Sequence, residues 1–145
     1  MPRVAVPDTS CLIALQSVEL LDLLSGLYDG IAVPAAVALE FGAELPASMP
    51  VVRPENELLV LSLRQRLGAG ESEVIALAAA DPERIAILDD RKARSIAIGM
   101  GVRLTGTLGV LLKAHAGGAP FDLVQALLKL QAIGFRMPDD FDGGR

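Results

Sequence analysis

Residues 70–109 read GESEVIALAAADPERIAILDDRKARSIAIGMGVRLTGTLG. From Glu71 to Ala80 apolar residues dominate at helical spacing, until Asp81-Pro82 stops them. Ile85–Leu88 is apolar throughout, as expected of a strand covered on both faces. Asp89-Asp90 ends that strand. Arg91 to Met100 then reads as a helix with Ala93, Ile96 and Ala97 inward, and Gly99 and Gly101 close it. Val102–Leu104 is a further strand, Thr105-Gly106-Thr107 a turn, and Leu108 to Ala114 a helix. Helices and strands that alternate with short connections predict a parallel sheet flanked by helices.

The same alternation extends in both directions. Val4–Pro7 is a short first strand, with Pro7 at its end because proline cannot donate to a central ladder. Asp8-Thr9-Ser10 turns the chain, with Thr9 or Ser10 as helix cap, and Leu12, Ile13 and Leu15 begin an apolar helix face. Leu20, Leu21, Leu23 and Leu24 carry a second helix ending near Gly26. Ile31–Val33 is a strand, and Pro34 opens a helix running to about Phe41. Gly42 to Pro50 is loop, and Val51-Val52 a short edge strand. Glu57 to Leu67 reads as an amphipathic helix with Leu58, Leu61 and Leu63 on its apolar side, broken by Gly68-Ala69-Gly70. At the other end Phe121 to Gly134 is the last helix, apolar through Val124, Leu127, Leu128 and Ile133, with a final extended piece at Phe135-Arg136-Met137. We expect one domain over residues 1–138 and a loose acidic tail over 139–145.

Composition narrows the function classes. A hydrophobic share of 52% excludes a disordered chain. The longest run free of polar residues, Gly30 to Leu39, has 10 residues, about half of what a membrane span needs. Met1-Pro2-Arg3 leads directly into strand-like sequence rather than a secretory leader. The single cysteine, Cys11, cannot form an internal disulfide and reads as a small buried filler, so a cytoplasmic location is expected. A net charge of −5 argues against binding nucleic acid through bulk positive charge. It leaves open a nuclease whose bound cations reverse the sign locally.

Acids mark the candidate site. Asp8 and Asp89-Asp90 stand at the carboxyl ends of strands, where sites form in open parallel sheets. Asp89, nearer the strand end, is the one expected to point into the site, while Asp90 suits the cap of the next helix. Glu40 ends its helix, a mildly unfavourable place for a carboxylate. Glu71 and Glu73 lie about 200° apart on their helix and cannot both face one site; Glu71 shares a side with Ile75 and Ala78. Each acid also has an ordinary reading, as cap, first-turn carboxylate or solvated side chain. If several lie within ~5 Å, each pair repels by ~3 kcal/mol at an effective dielectric of ~20. A hard cation such as Mg²⁺ or Mn²⁺ would relieve that repulsion and could orient phosphate oxygens. Thr9 and Ser10 beside Asp8, and Arg91 and Arg94 after Asp90, are the candidate substrate contacts, though a basic helix face is also commonly just solvated. No P-loop lysine, GxGxxG turn, CxxC pair or Gly-x-Ser-x-Gly elbow competes.

Taken in order, VPDTSCLIAL, VPAAVALEFG, GAGESEVIALA, ILDDRKARSIA and LTGTLGVLL resemble the PIN domain. More narrowly they resemble the VapC-like subgroup with Gly-Glu-x-Glu, Asp-Asp-x-x-Ala-Arg and Gly-Thr-x-Gly motifs, from Val4 to about Phe135. The resemblance implies a three-layer α/β/α sandwich with a short parallel sheet of about four to five strands. It implies a ribonuclease that uses carboxylate-bound Mg²⁺ or Mn²⁺ and activated water. Carried over residue by residue, Asp8, Glu40 (from Pro34-x-x-Val37-x-x-Glu40), Glu71 and Asp89 are the catalytic acids. Asp8, Glu71, Asp89 and Asp90 are the metal ligands. The resemblance further implies a toxin that forms a homodimer and is held inactive by a small cognate antitoxin. Two departures stand out. Cys11 replaces a proline common in the subgroup, and the third acid is a glutamate with Glu73 two residues on, where many PIN toxins carry aspartate.

Two other functions fit parts of the pattern. A PIN-like interaction module with little catalysis would suit the acidic composition. A phosphatase with Asp8 as nucleophile would be expected to carry a second acid two residues on, where this chain has Ser10.

Overall fold

Val4–Pro7 (β1) lies inside a parallel sheet, between Gly30–Ile31 (β2) and Arg84–Ile87 (β5), with Leu104–Thr105 (β6) beyond β5. The computed structural model describes residues 3–136. Pro7 occupies the last position of β1, opposite Ile87, where its missing N–H breaks no central ladder. Ala5, Val6, Ala86 and Ile87 are fully buried, which is why these strands carry no polar alternation.

Val33–Pro34 (β3) and Val51–Val52 (β4) form a second, two-stranded parallel sheet. The single strand expected at 31–33 is split because the chain changes partner at Ala32. The Ala32 N–H donates to Ala5 O of β1 at 2.9 Å, and the Val33 N–H to Pro50 O on the other side at 2.9 Å. The strand expected at 102–104 is shifted to Leu104–Thr105 for a local reason. Gly101, at φ 75°, ends the preceding helix, and the Val102 N–H turns back to Ala97 O.

Helices connect the strands. Thr9–Ser17 (α1) and Leu23–Leu27 (α2) follow β1, Ala35–Phe41 (α3) follows β3, and Glu57–Leu63 (α4) and Ala69–Ala79 (α5) precede β5. Arg91–Gly99 (α6) links β5 to β6, and Thr107–Ala116 (α7) and Leu123–Ala132 (α8) end the described chain. α5 packs on β1, β3 and β5 and carries α3 and α4 on its flank. α2 and α8 pack against α7, and α1 touches α3 and α7. The parallel sheet flanked by helices is the α/β architecture expected of the chain.

Two helix faces differ from expectation. In α4 only Leu63 is buried, with Leu59, Val60 and Leu67 turned inward beside it, while Leu58 and Leu61 are 80% and 60% exposed. At 100° per residue Leu58 and Leu61 form one stripe and Leu63 lies on another, and the core took the second. In α8 the stripe of Leu123, Ala126, Leu127 and Leu130 packs inward, leaving Val124 and Leu128 exposed. Phe135 and Arg136 are not strand, and Met137 and the tail lie outside the described residues.

Candidate functional site

β2 and β5 lie on opposite sides of β1, so the connections leaving β1 and β5 diverge at their carboxyl ends. Such a switch point opens a crevice in a parallel sheet. Asp8 follows β1 directly, and its N–H donates to Ile87 O at 3.0 Å, in continuation of the ladder. Its side chain, 3% exposed, is the N-cap of α1. Oδ1 accepts the Cys11 N–H at 2.8 Å, and Oδ2 accepts the Asp89 N–H at 3.2 Å. Asp8, not Thr9 or Ser10, therefore caps the helix, and the capping residue is the strand-end acid itself. Burial, then the neighbouring charge of Asp89, pushes its pKa up to about 7 against the pull of those two N–H groups, with Glu71 adding a smaller repulsion.

Asp89 is held by one residue. Oδ1 accepts the Thr107 N–H at 2.8 Å and Oδ2 accepts the Thr107 hydroxyl at 2.6 Å. Thr107 is fully buried at the first position of α7. The turn before it leaves little room for a side chain. A Cβ on Gly106 would stand 3.0 Å from Asp89 Oδ1 and 3.1 Å from Arg94 Nη1. Asp90 is exposed and caps α6, accepting the Ala93 N–H at 2.9 Å.

The two glutamates of α5 part company. Glu71, at the third helical position, is half-buried beside the acids. Its carboxyl lies above the ordinary range, chiefly through burial and then the charge of Asp90, opposed by the Gly68 N–H. Glu73 reaches α3 instead, where it accepts the Ala36 N–H at 2.9 Å. That contact supplies a carboxylate to a helix N-terminus whose cap, Pro34, offers no side-chain acceptor.

Glu40 is exposed, accepting the Thr9 hydroxyl at 2.5 Å and the Gly70 N–H at 3.2 Å. It thereby ties the end of α3 to the starts of α1 and α5. A side chain on Gly70 would collide with the Glu40 carboxylate.

These elements border an open cleft of about 1180 Å³. Ser10, Glu71, Asp89, Asp90, Arg91 and Arg94 are on its wall, Asp8 is buried beneath it, and Thr9 and Glu40 are committed to each other beside it. Arg94 also donates from Nη1 to Leu88 O at 2.7 Å, which fixes its guanidinium at the end of β5. The Cys11 thiol is fully buried. Burial first, then the charges of Asp8 and Asp89, raise its pKa, so it remains a thiol and does not act as a nucleophile.

Among the described residues, no three His, Cys, Asp or Glu side chains are grouped closely enough to share a metal ion. The donors nevertheless suit a hard divalent cation in kind. They are all carboxylates, and the pair Asp8–Asp89 repels across the base of the cleft, a repulsion that a cation would relieve.

Sequence reasoning gave no site role to Thr107, Phe135 or Arg136, although Thr107 belongs to the Gly-Thr-x-Gly motif. The signal for Thr107 was present. It stands in the turn after β6, the position that Asp8 holds after β1 and Asp89 after β5.

A family model described as a PIN domain matches residues 4–141. No curated protein and no solved structure matches the chain. The match covers nearly the whole of the 145 residues, and the chain belongs to the PIN-domain family, whose members are in general nucleases.

Proposed function

We propose that this PIN-domain chain is a metal-dependent endoribonuclease. The observation that supports it most is the meeting of Asp8 and Asp89 at the β1–β5 switch point, beneath a cleft walled by Glu71, Asp90 and the guanidinium of Arg94. Asp8, Glu71, Asp89 and Asp90 would hold the cation. Bound Mg²⁺ or Mn²⁺ would supply charge to the phosphate oxygens and acidify a water. The chain's own residues do the rest. Asp8 and Asp89 are held in place by backbone N–H groups and by Thr107, and Glu71 and Asp90 would draw in from the cleft wall to complete the set around the cation. Arg94, braced on Leu88 O, presents positive charge where a phosphodiester would lie. Ser10 offers the free face of the α1 turn to substrate, because Thr9 is engaged by Glu40. Glu40 is a positioning residue in this reading, holding the Gly70 amide and hence the start of the Glu71 helix.

We further propose the toxin role, with homodimerisation and a small antitoxin as partner. The order of the Gly-Glu-x-Glu, Asp-Asp-x-x-Ala-Arg and Gly-Thr-x-Gly motifs supports it. So do the exposed Leu39, Leu58 and Leu61 on two helices that both pack on α5. The same leucines support a second reading, an interaction module that acts without catalysis.

Cleavage of total RNA and of defined stem-loops by the purified chain separates the two readings. We expect cutting with Mn²⁺ or Mg²⁺, none with excess chelator, and a loss of at least about 100-fold in Asp8→Asn. Equal turnover in Asp8→Asn would overturn the nuclease assignment.

A further inference from the structure

The cleft does not end at the acids. The same cleft is also lined by Ile98 of α6, by Leu108 and Leu112 of α7, and by Phe135 and Arg136 after α8, which together form its apolar arm. A cation with its waters needs only a small part of about 1180 Å³, since a water's share of liquid volume is about 30 Å³. The remainder is of the size that holds an organic ligand.

The chemistry of this arm differs from that of the acidic end. Ile98 is 64% exposed and Leu112 43%, so their apolar surface is open to the cleft rather than used in the core. Phe135 is not a loose end. Gly134, at φ 88°, takes the left-handed conformation that closes α8, and its N–H donates to Gln131 O at 3.1 Å. The Phe135 N–H then donates to Leu130 O at 2.9 Å, and Leu130 is fully buried. This double hydrogen bond sets the aromatic residue at a defined place on the cleft wall, with Arg136 next to it.

An aromatic ring, open aliphatic side chains and guanidinium groups beside a phosphate-directed acidic site are what an unstacked nucleobase requires. The ring and aliphatics take its face and the guanidinium its flanking phosphate. We infer that this arm is a nucleobase subsite, in which one base of a single strand packs on Phe135 against the Ile98–Leu112 wall. Arg136 meets the flanking phosphate, and the adjoining phosphodiester reaches the acids. A base inside a duplex cannot enter, because its faces are covered by its neighbours. The inference rests on the ribonuclease reading and names the part of the substrate that is held.

Binding separates the two claims. Fluorescence anisotropy is measured with Ca²⁺ as the only divalent cation. The probes are a labelled single-stranded RNA 12-mer, its duplex, and a 12-mer of the same charge made of abasic sugar-phosphate units. The native chain is expected to bind the base-bearing strand about tenfold more tightly than the abasic one or the duplex. Phe135→Leu should lose most of that preference while its affinity for the abasic strand stays the same, and Phe135→Tyr should retain it. Ile98→Ser alters an exposed residue that the fold does not need, and should also reduce the preference. Full preference in both Phe135→Leu and Ile98→Ser would overturn the subsite, as would an equal loss on base-bearing and abasic strands. A native chain that binds none of the three probes removes the ribonuclease reading, and the subsite with it.

Discussion

Thr107 gives both of its polar groups to one carboxylate, and in the proposed site that bracket would set how Asp89 meets a cation. The hydroxyl and the amide hold the two oxygens in one orientation, as partners outside the ligand set do at metal sites generally. Thr107→Val keeps the shape and the amide and removes only the hydroxyl bond. We expect Mn²⁺ affinity by calorimetry to fall about 10-fold or more in that variant, and Thr107→Ser to recover most of it. An unchanged affinity in Thr107→Val would show that the amide alone orients Asp89. Asp8 carries a second consequence. Its folded pKa of about 7 lies above the 3.8 of an ordinary aspartate, so the metal-free fold retains a proton that the unfolded chain releases. Stability is therefore full below pH 3.8, declines as pH rises through that window, and reaches its lowest level above about 7. The loss is on the order of 4 kcal/mol, and Glu71 adds to it in the same direction. Thermal melts in chelator from pH 5 to pH 8 should show a falling midpoint that flattens in Asp8→Asn; an equal slope in that variant would place the titration elsewhere. Residues of this kind were half-legible. Asp8, Glu71 and Asp89 stand out as candidates from where they lie along strands and helices, and the fold brings them to one cleft. The commitments of Glu40, Glu73 and Thr107 were not legible, because a side chain's partner 18 to 37 residues away leaves no local mark.

Helix endings show what periodicity conveys at the level of elements and what it omits. α6, α7 and α8 each close with a glycine in the left-handed region, at Gly101, Gly118 and Gly134, followed by a residue whose N–H returns to the last turn. Glycine and the next apolar residue are readable signals for such an end. α1 closes in the same way without the signal. Glu19 stands at φ 60°, its N–H donates to Gln16 O, and the Leu20 N–H donates to Leu15 O at 2.8 Å. A side chain there costs about 1–2 kcal/mol relative to the right-handed conformation. Glu19→Gly gives back part of the gain through the freer unfolded chain, so we expect a net stabilisation of about 0.5–1 kcal/mol by urea unfolding. A destabilised variant would mean that the Glu19 carboxylate has a role beyond its backbone. The faces of α4 and α8 differ from the expected ones for a related reason. Both helices carry more apolar residues than one stripe can hold, so the sequence offers two candidate faces and only packing selects between them.

At the scale of the molecule, a short parallel sheet whose first strand is central makes the site legible. The order β2-β1-β5-β6 brings the acids after the first and fifth strands together, although 81 residues separate them in sequence. Alternation and strand-end acids imply such an arrangement. The partner change at Ala32 that divides the strands into two sheets does not follow from them, since it depends on where residues 42–50 return the chain. The charge distribution then constrains how the proposed substrate binds. The chain carries a net charge of −5, yet Arg91, Arg94 and Arg136 line one cleft. Phosphate contacts confined to that cleft would number at most about three. Affinity for single-stranded RNA should then fall with salt at a log–log slope of about −2, at ~0.7 per contact. Titrations from 50 to 300 mM salt with Ca²⁺ held constant measure this slope directly. A slope near −5 would require basic surface well outside the cleft, which an acidic chain would have to borrow from a second copy or a basic partner. A slope near zero would leave the bases and the bound cation as the only hold on the strand. The value of about −2 follows from positive charge concentrated at the cleft of a net-negative chain, and on the proposed reading such a chain would meet RNA only where a strand can enter the cleft.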